Sequence, residues 1–135
     1  MCNRYYDYGS FLFMEMKKIA KQDVQKVLTA YENTPVYLHV EITSGMYASH
    51  LDDNVFNAGT FLRNIQVEFI QATIRGGNRS KEHRVGLKLA NGGWVYVLGL
   101  THYIEGENGE FIMHGFNAEG KLASALEIST QPFFK

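Results

Sequence analysis

The sequence predicts a mostly β domain: an antiparallel meander forming a barrel (or a sandwich), with one N-terminal helix. Three observations carry this reading. Phe, Tyr and Trp make up 13% of the chain, and aromatic side chains favour half-buried, pleated surfaces. From Pro35 onward apolar residues recur with a period of two, as in Val36, Leu38, Val40 and Ile42, the alternation of a strand with one face in a core. Short turn signals, among them Asn91-Gly92 and Asn108-Gly109, separate successive alternating runs and read as hairpins.

The bulk numbers narrow the function classes. A chain of 135 residues is the size of one domain, large enough to bury roughly two-thirds of its unfolded surface. Its formal net charge of −1 disfavours a dedicated nucleic-acid binder, which needs a basic surface to neutralise phosphates. No apolar run approaches the roughly 18 residues of a membrane span, and the start has no secretory h-region, since Glu15 follows directly on Phe11–Met14. Cys2 is the only cysteine, so neither an internal disulfide nor a Cys-rich zinc site forms. These features point to the cytoplasm.

Residues 1–16 read as a disordered N-terminal extension, and residues 17–135 as the single domain. The helix runs from about Lys21 to Glu32, where Val24, Val27, Leu28 and Tyr31 share one face and Asn33-Thr34-Pro35 forms the stop. A first strand follows over Val36–Thr43. Ser44-Gly45 reads as its turn and Met46–Leu51 as the returning strand. A longer strand spans about Ile65–Arg75. In the hairpin over Val85–Leu98, a two-residue Asn91-Gly92 turn sets Leu87 opposite Tyr96 and Leu89 opposite Trp94, which puts Trp94 inside. A two-residue Asn108-Gly109 turn sets Tyr103 opposite His114, so that His102 points away from His114. Leu122–Ser129 is the last strand.

The first hairpin holds the best candidate site. Its turn would set His39 opposite His50, with Glu41 on the same face. Cross-strand neighbours of this kind lie about 4.5–5.5 Å apart. Two imidazoles and a carboxylate are a ligand-binding patch: a zinc or transition-metal site with one open position, or a base with its orienting acid. The competing reading is a polar face, and a one-residue slip would separate the two histidines. The basic, Gly-rich run Arg75–Lys81 lacks P-loop spacing and reads as a solvated loop. No nucleophile elbow, His-Glu-x-x-His motif or dinucleotide fingerprint is present. No catalytic residue is assigned, and the sequence leaves the metal and any cofactor unknown.

Three stretches carry a family resemblance: Pro35–Glu41, Arg84–Lys88 through Gly93–Tyr96, and Gly120–Ala123 through Pro132-Phe133. Together they resemble the YojF-like family of small uncharacterised proteins from Gram-positive bacteria, over about Lys17 to the C-terminus. The resemblance implies no catalytic residues. It does imply a setting, because members are often encoded beside a zinc-dependent deacetylase of the bacillithiol pathway. Two readings follow. One is a non-catalytic accessory or binding protein linked to bacillithiol, a low-molecular-weight thiol, as partner of that deacetylase. The alternative is a small-molecule- or metal-binding enzyme using His39, Glu41 and His50. Nucleic acid and membrane are not expected partners.

Overall fold

The chain forms one helix and eight strands in a computed structural model that describes residues 16–43 and 58–133. In chain order these are β1 (Lys17–Lys18), α1 (Lys21–Ala30), β2 (Pro35–Thr43), β3 (Gly59–Gly76), β4 (His83–Leu89), β5 (Trp94–Leu100), β6 (His102–Glu105), β7 (Phe111–Phe116) and β8 (Leu122–Ser129). The N-terminal extension before Met16, the Ser44-Gly45 turn, the Met46–Leu51 strand and His50 lie outside the described residues.

The strands pair in the order β1-β6-β7-β8-β2-β3-β4-β5, all antiparallel. Two meanders, β2 to β5 and β6 to β8, join where β8 pairs with β2. The sheet curls into a half-barrel, and only Thr101 separates β5 from β6. Val36, Leu38, Val40, Phe69, Leu87, Val97, Met113, Leu126 and Ile128 line the core together with Val24 and Leu28 of α1.

Helix α1 also solves an edge problem. β2 stays beside β3 only as far as the Pro35–Glu68 pair, so the rest of β3 would expose backbone groups on that side. The Gln25 amide substitutes for a strand: its Nε2 donates to the Ala72 carbonyl at 2.8 Å, and Ile74 N–H donates to its Oε1 at 3.0 Å. Ala72 N–H donates to Glu32 Oε2 at 2.9 Å.

Both Asn-Gly turns are one residue longer than the two-residue reading. In the first, Leu89 N–H donates to Gly93 O at 2.8 Å, which makes Ala90–Gly92 a three-residue loop. In the second, Gly106 N–H donates to Glu110 O at 2.7 Å around Glu107–Gly109. Each loop ends on a glycine in the left-handed region, Gly92 at φ 91° and Gly109 at φ 82°, as expected of a type I turn closed by a bulge. The extra residue moves every partner by one. Leu87 faces Val95, Val95 and Val97 turn inward, and Trp94 is outside rather than packed in the core: Trp94, Tyr96 and Leu98 are 49%, 57% and 60% exposed. His102 stands directly opposite His114 instead of pointing away from it.

Candidate functional site

His39 and Glu41 sit two residues apart on β2, on the face opposite the apolar core, and are 0% and 4% exposed. Strands occupy both sides of β2 here, so His39 pairs with Arg63 of β3 and Glu127 of β8. Those are the cross-strand seats that the hairpin reading reserves for His50.

A bulge delivers Arg63 to this seat. Leu38 pairs with Ile65 but His39 with Arg63, which makes Asn64 the extra residue, at φ 57° in the left-handed region that Asn tolerates. Bulges re-aim side chains beside sites. The Asn64 amide holds both backbone groups of Phe133: Phe133 N–H donates to Oδ1 at 2.7 Å, and Nδ2 donates to the Phe133 carbonyl at 3.1 Å. The Phe133 ring thereby lies beneath the Arg63 guanidinium, 5.3 Å from Cζ, and its centroid is 6.3 Å from that of His39. Phe61 meets His39 edge-on at 5.2 Å.

Arg63 Nη1 lies 3.0 Å from His39 Nδ1. A guanidinium only donates, so Nδ1 accepts and the ring proton sits on Nε2. That nitrogen is 3.4 Å from Glu41 Oε1, an electrostatic contact longer than a charge-assisted hydrogen bond. Glu41 Oε1 is buried and makes no hydrogen bond among the described residues.

A second His–Glu pair adjoins the first. His114 Nε2 of β7 lies 3.5 Å from Glu127 Oε2 of β8, and Glu127 is the residue opposite His39. His102 follows across β6, opposite His114, with Phe116 edge-on to both rings at 5.3 and 5.9 Å. Arg63, His39, Glu41, Glu127, His114 and His102 thus form a polar band across five adjacent strands. Sequence spacing pointed to His39 and Glu41 only. The period-two pattern of β8 places Glu127 on the outer face, but its neighbours depend on β8 pairing with β2, a contact no local signal encodes.

The band offers proton donors and acceptors in fixed orientations. For a metal, the fit is mixed. His39 Nε2 and Glu41 Oε1 have the separation of two ligands each about 2.0–2.1 Å from a tetrahedral zinc. A zinc on Nε2 would, however, move the ring proton to Nδ1, where Arg63 already directs an N–H, whereas metal-bound imidazoles donate that proton to an acceptor. Among the described residues no three His, Cys, Asp or Glu side chains gather to hold a metal ion. The Arg75–Lys81 loop closes on itself, with Gly77 N–H donating to the Glu82 carbonyl at 3.1 Å and His83 Nδ1 donating to the Lys81 carbonyl at 3.0 Å.

These features define a β half-barrel with a single helix and a buried His–Glu band on the sheet face away from its core. The chain belongs to the family described as "Protein of unknown function (DUF1806)", which matches residues 18–133. It is 42% identical over 118 residues to the "Uncharacterized protein YojF" of Bacillus subtilis (strain 168), covering 87% of this chain and 98% of that one. The crystal structure of Bacillus subtilis YojF is similar at a TM-score of 0.71 and 38% identity, covering 89% of this chain and 98% of that chain. Among the described residues no helix is long and apolar enough to cross a membrane.

Proposed function

We propose that this protein is a non-catalytic accessory or binding protein that docks a partner protein through the outer face of β5. The observation that carries this reading is the row Trp94, Tyr96 and Leu98, each about half exposed on a strand at the sheet's edge. Large side chains grouped in this way mark partner surfaces, and Trp and Tyr dominate interface energetics. The partner we propose is the zinc-dependent deacetylase of the bacillithiol pathway, with the cytoplasm as the shared compartment; this comes from the family's setting. Calorimetry with the purified deacetylase tests it. Binding at tens of micromolar or tighter is expected, and a Trp94→Ala, Tyr96→Ala double variant should weaken it roughly thirtyfold, the effect of losing about 2 kcal/mol of a hot spot. No heat of binding at those concentrations would contradict the proposal.

Glu41 Oε1, buried and without a hydrogen bond among the described residues, favours a second reading: a small-molecule- or metal-binding enzyme using His39, Glu41 and His50. Zinc titrated into chelator-treated protein should bind the unaltered chain and not a His39→Ala, His50→Ala double variant. Equal binding by the two rejects this reading. If zinc binds at His39 Nε2, Arg63→Gln should tighten it, because the glutamine carbonyl can accept the Nδ1 proton.

A further inference from the structure

The outer face of β3, β4 and β5 carries charge largely of one sign. The pairing sets Arg84 opposite Arg75, Gly86 opposite Thr73 and Lys88 opposite Gln71. On the other side of β4, Trp94 stands opposite Lys88 and Tyr96 opposite Gly86. The β3–β4 connection adds Arg79 and Lys81, both exposed. Between Arg75 and Trp94 the only carboxylate is Glu82, and Glu68 borders the face near the β4–β5 turn, where its carbonyl accepts from Ala90 N–H. This basic face belongs to a chain whose net charge is −1.

The aromatic groups on this face form a ladder. The Tyr96 ring covers Gly86, where an added Cβ would stand 3.0 Å from Cε1. Trp94 stacks on Tyr96 with centroids 5.4 Å apart and planes 9° from parallel, and Lys88 Nζ lies 6.0 Å from the Trp94 ring centroid on a cation–π approach. Trp94 is therefore flanked by Tyr96 and Lys88. The Trp94–Tyr96 stack takes up one face of each ring, and a row of separate platforms for successive bases is what this ladder does not offer. A protein surface needs apolar edges and a polar rim, which it does.

β5 is also the outermost strand of the sheet order, and among the described strands it pairs only with β4. Such an edge is a template for an added strand. Resting on the binding reading above, we infer that an extended, acid-rich apolar segment of the partner pairs along Trp94–Leu98 and points its carboxylates across β5 toward Lys88 and Arg84. Charge complementarity selects this occupant over a second copy of the chain, because two-fold pairing of β5 with β5 would bring two basic faces together.

Peptide display against the immobilised full chain, counter-selected on a Trp94→Ala, Tyr96→Ala double variant, tests the occupant without presuming the partner. Acid-rich, apolar, extended peptides should be enriched. Their affinity should fall roughly tenfold or more in an Arg84→Glu, Lys88→Glu variant, and likewise in high salt. Thermal unfolding of both variants verifies that they remain folded. Enriched peptides without acidic bias, tighter binding of single-stranded oligothymidine than of any peptide, or a concentration-dependent dimer abolished by the Trp94 variant would each overturn the inference. The two proposals fail separately. If the deacetylase binds and depends on Trp94 but not on Arg84 and Lys88, the docking reading stands and the acidic segment falls. If acidic peptides bind and the deacetylase does not, the segment stands and that partner falls.

Discussion

Arg63 donates to His39 Nδ1 from 3.0 Å, which leaves the ring proton on Nε2 facing Glu41. One neighbour thus sets which nitrogen is available to a ligand, and the sequence could not announce it, because Arg63 reaches that seat through the bulge at Asn64. His102 makes a sharper test at this scale. Burial holds its pKa below the usual imidazole range, and Lys18, His114 and Lys81 push in the same direction. The folded state then binds fewer protons than the unfolded state. Stability is complete above the unfolded pKa of about 6.5 and declines as pH falls through it toward the lower folded value. Urea unfolding on either side of that pH should show a loss of stability on acidification, and His102→Gln should reduce the loss. An undiminished loss in the variant would show that His102 does not contribute. Trp94 gives a contrast in magnitude. Standing outside, Trp94→Ala should cost about 1 kcal/mol, the scale of an exposed aromatic pair, whereas Leu28→Ala, fully buried on α1, should cost about 2–5 kcal/mol. Equal costs in denaturant unfolding would put Trp94 back in the core.

Elements were legible where their signal is local. The helix face Val24, Val27, Leu28 and Tyr31 and the inward set Val36, Leu38 and Val40 follow directly from periodicity, and both sets pack as their spacing requires. Register was not legible, because Asn-Gly serves two-residue and three-residue turns alike and the difference lies in whether the residue before Asn joins the loop. One such residue in the first loop exchanged the faces of β5, and one in the second brought His102 opposite His114. The β8–β2 pairing, which completes the polar band, joins strands far apart in sequence. One glycine tests how closely β5 approaches β7. A Cβ on Gly115 would collide with the Gly99 carbonyl and with Ser124 Oγ. Backbone cannot yield as a flexible side chain would, so Gly115→Ala should destabilise by about 1–3 kcal/mol, the usual cost of overpacking. An unchanged melting temperature would show that β5 and β7 do not approach so closely.

Across the whole molecule the two sheet faces divide the work. The inner face spends its apolar side chains on the core, and the outer face carries the buried His–Glu band at β2, β7 and β8 and the exposed aromatic ladder at β5. Of the candidate site, His39 and Glu41 were legible, Arg63, Glu127 and His114 were not, and His50 lies outside the described residues. The ladder was legible as three apolar residues at period two but was assigned to the wrong face. Trp94 is the only tryptophan in the chain, so 5-fluorotryptophan labelling places a single fluorine resonance on the proposed docking surface. The most direct measurement is the fluorine spectrum of the labelled chain as unlabelled deacetylase is added. Docking through β5 predicts that the resonance shifts or broadens with saturation and loses its sensitivity to solvent deuterium. A resonance that stays fixed while calorimetry reports binding would contradict docking at this face, and one that stays fixed with no binding at all would contradict the partnership.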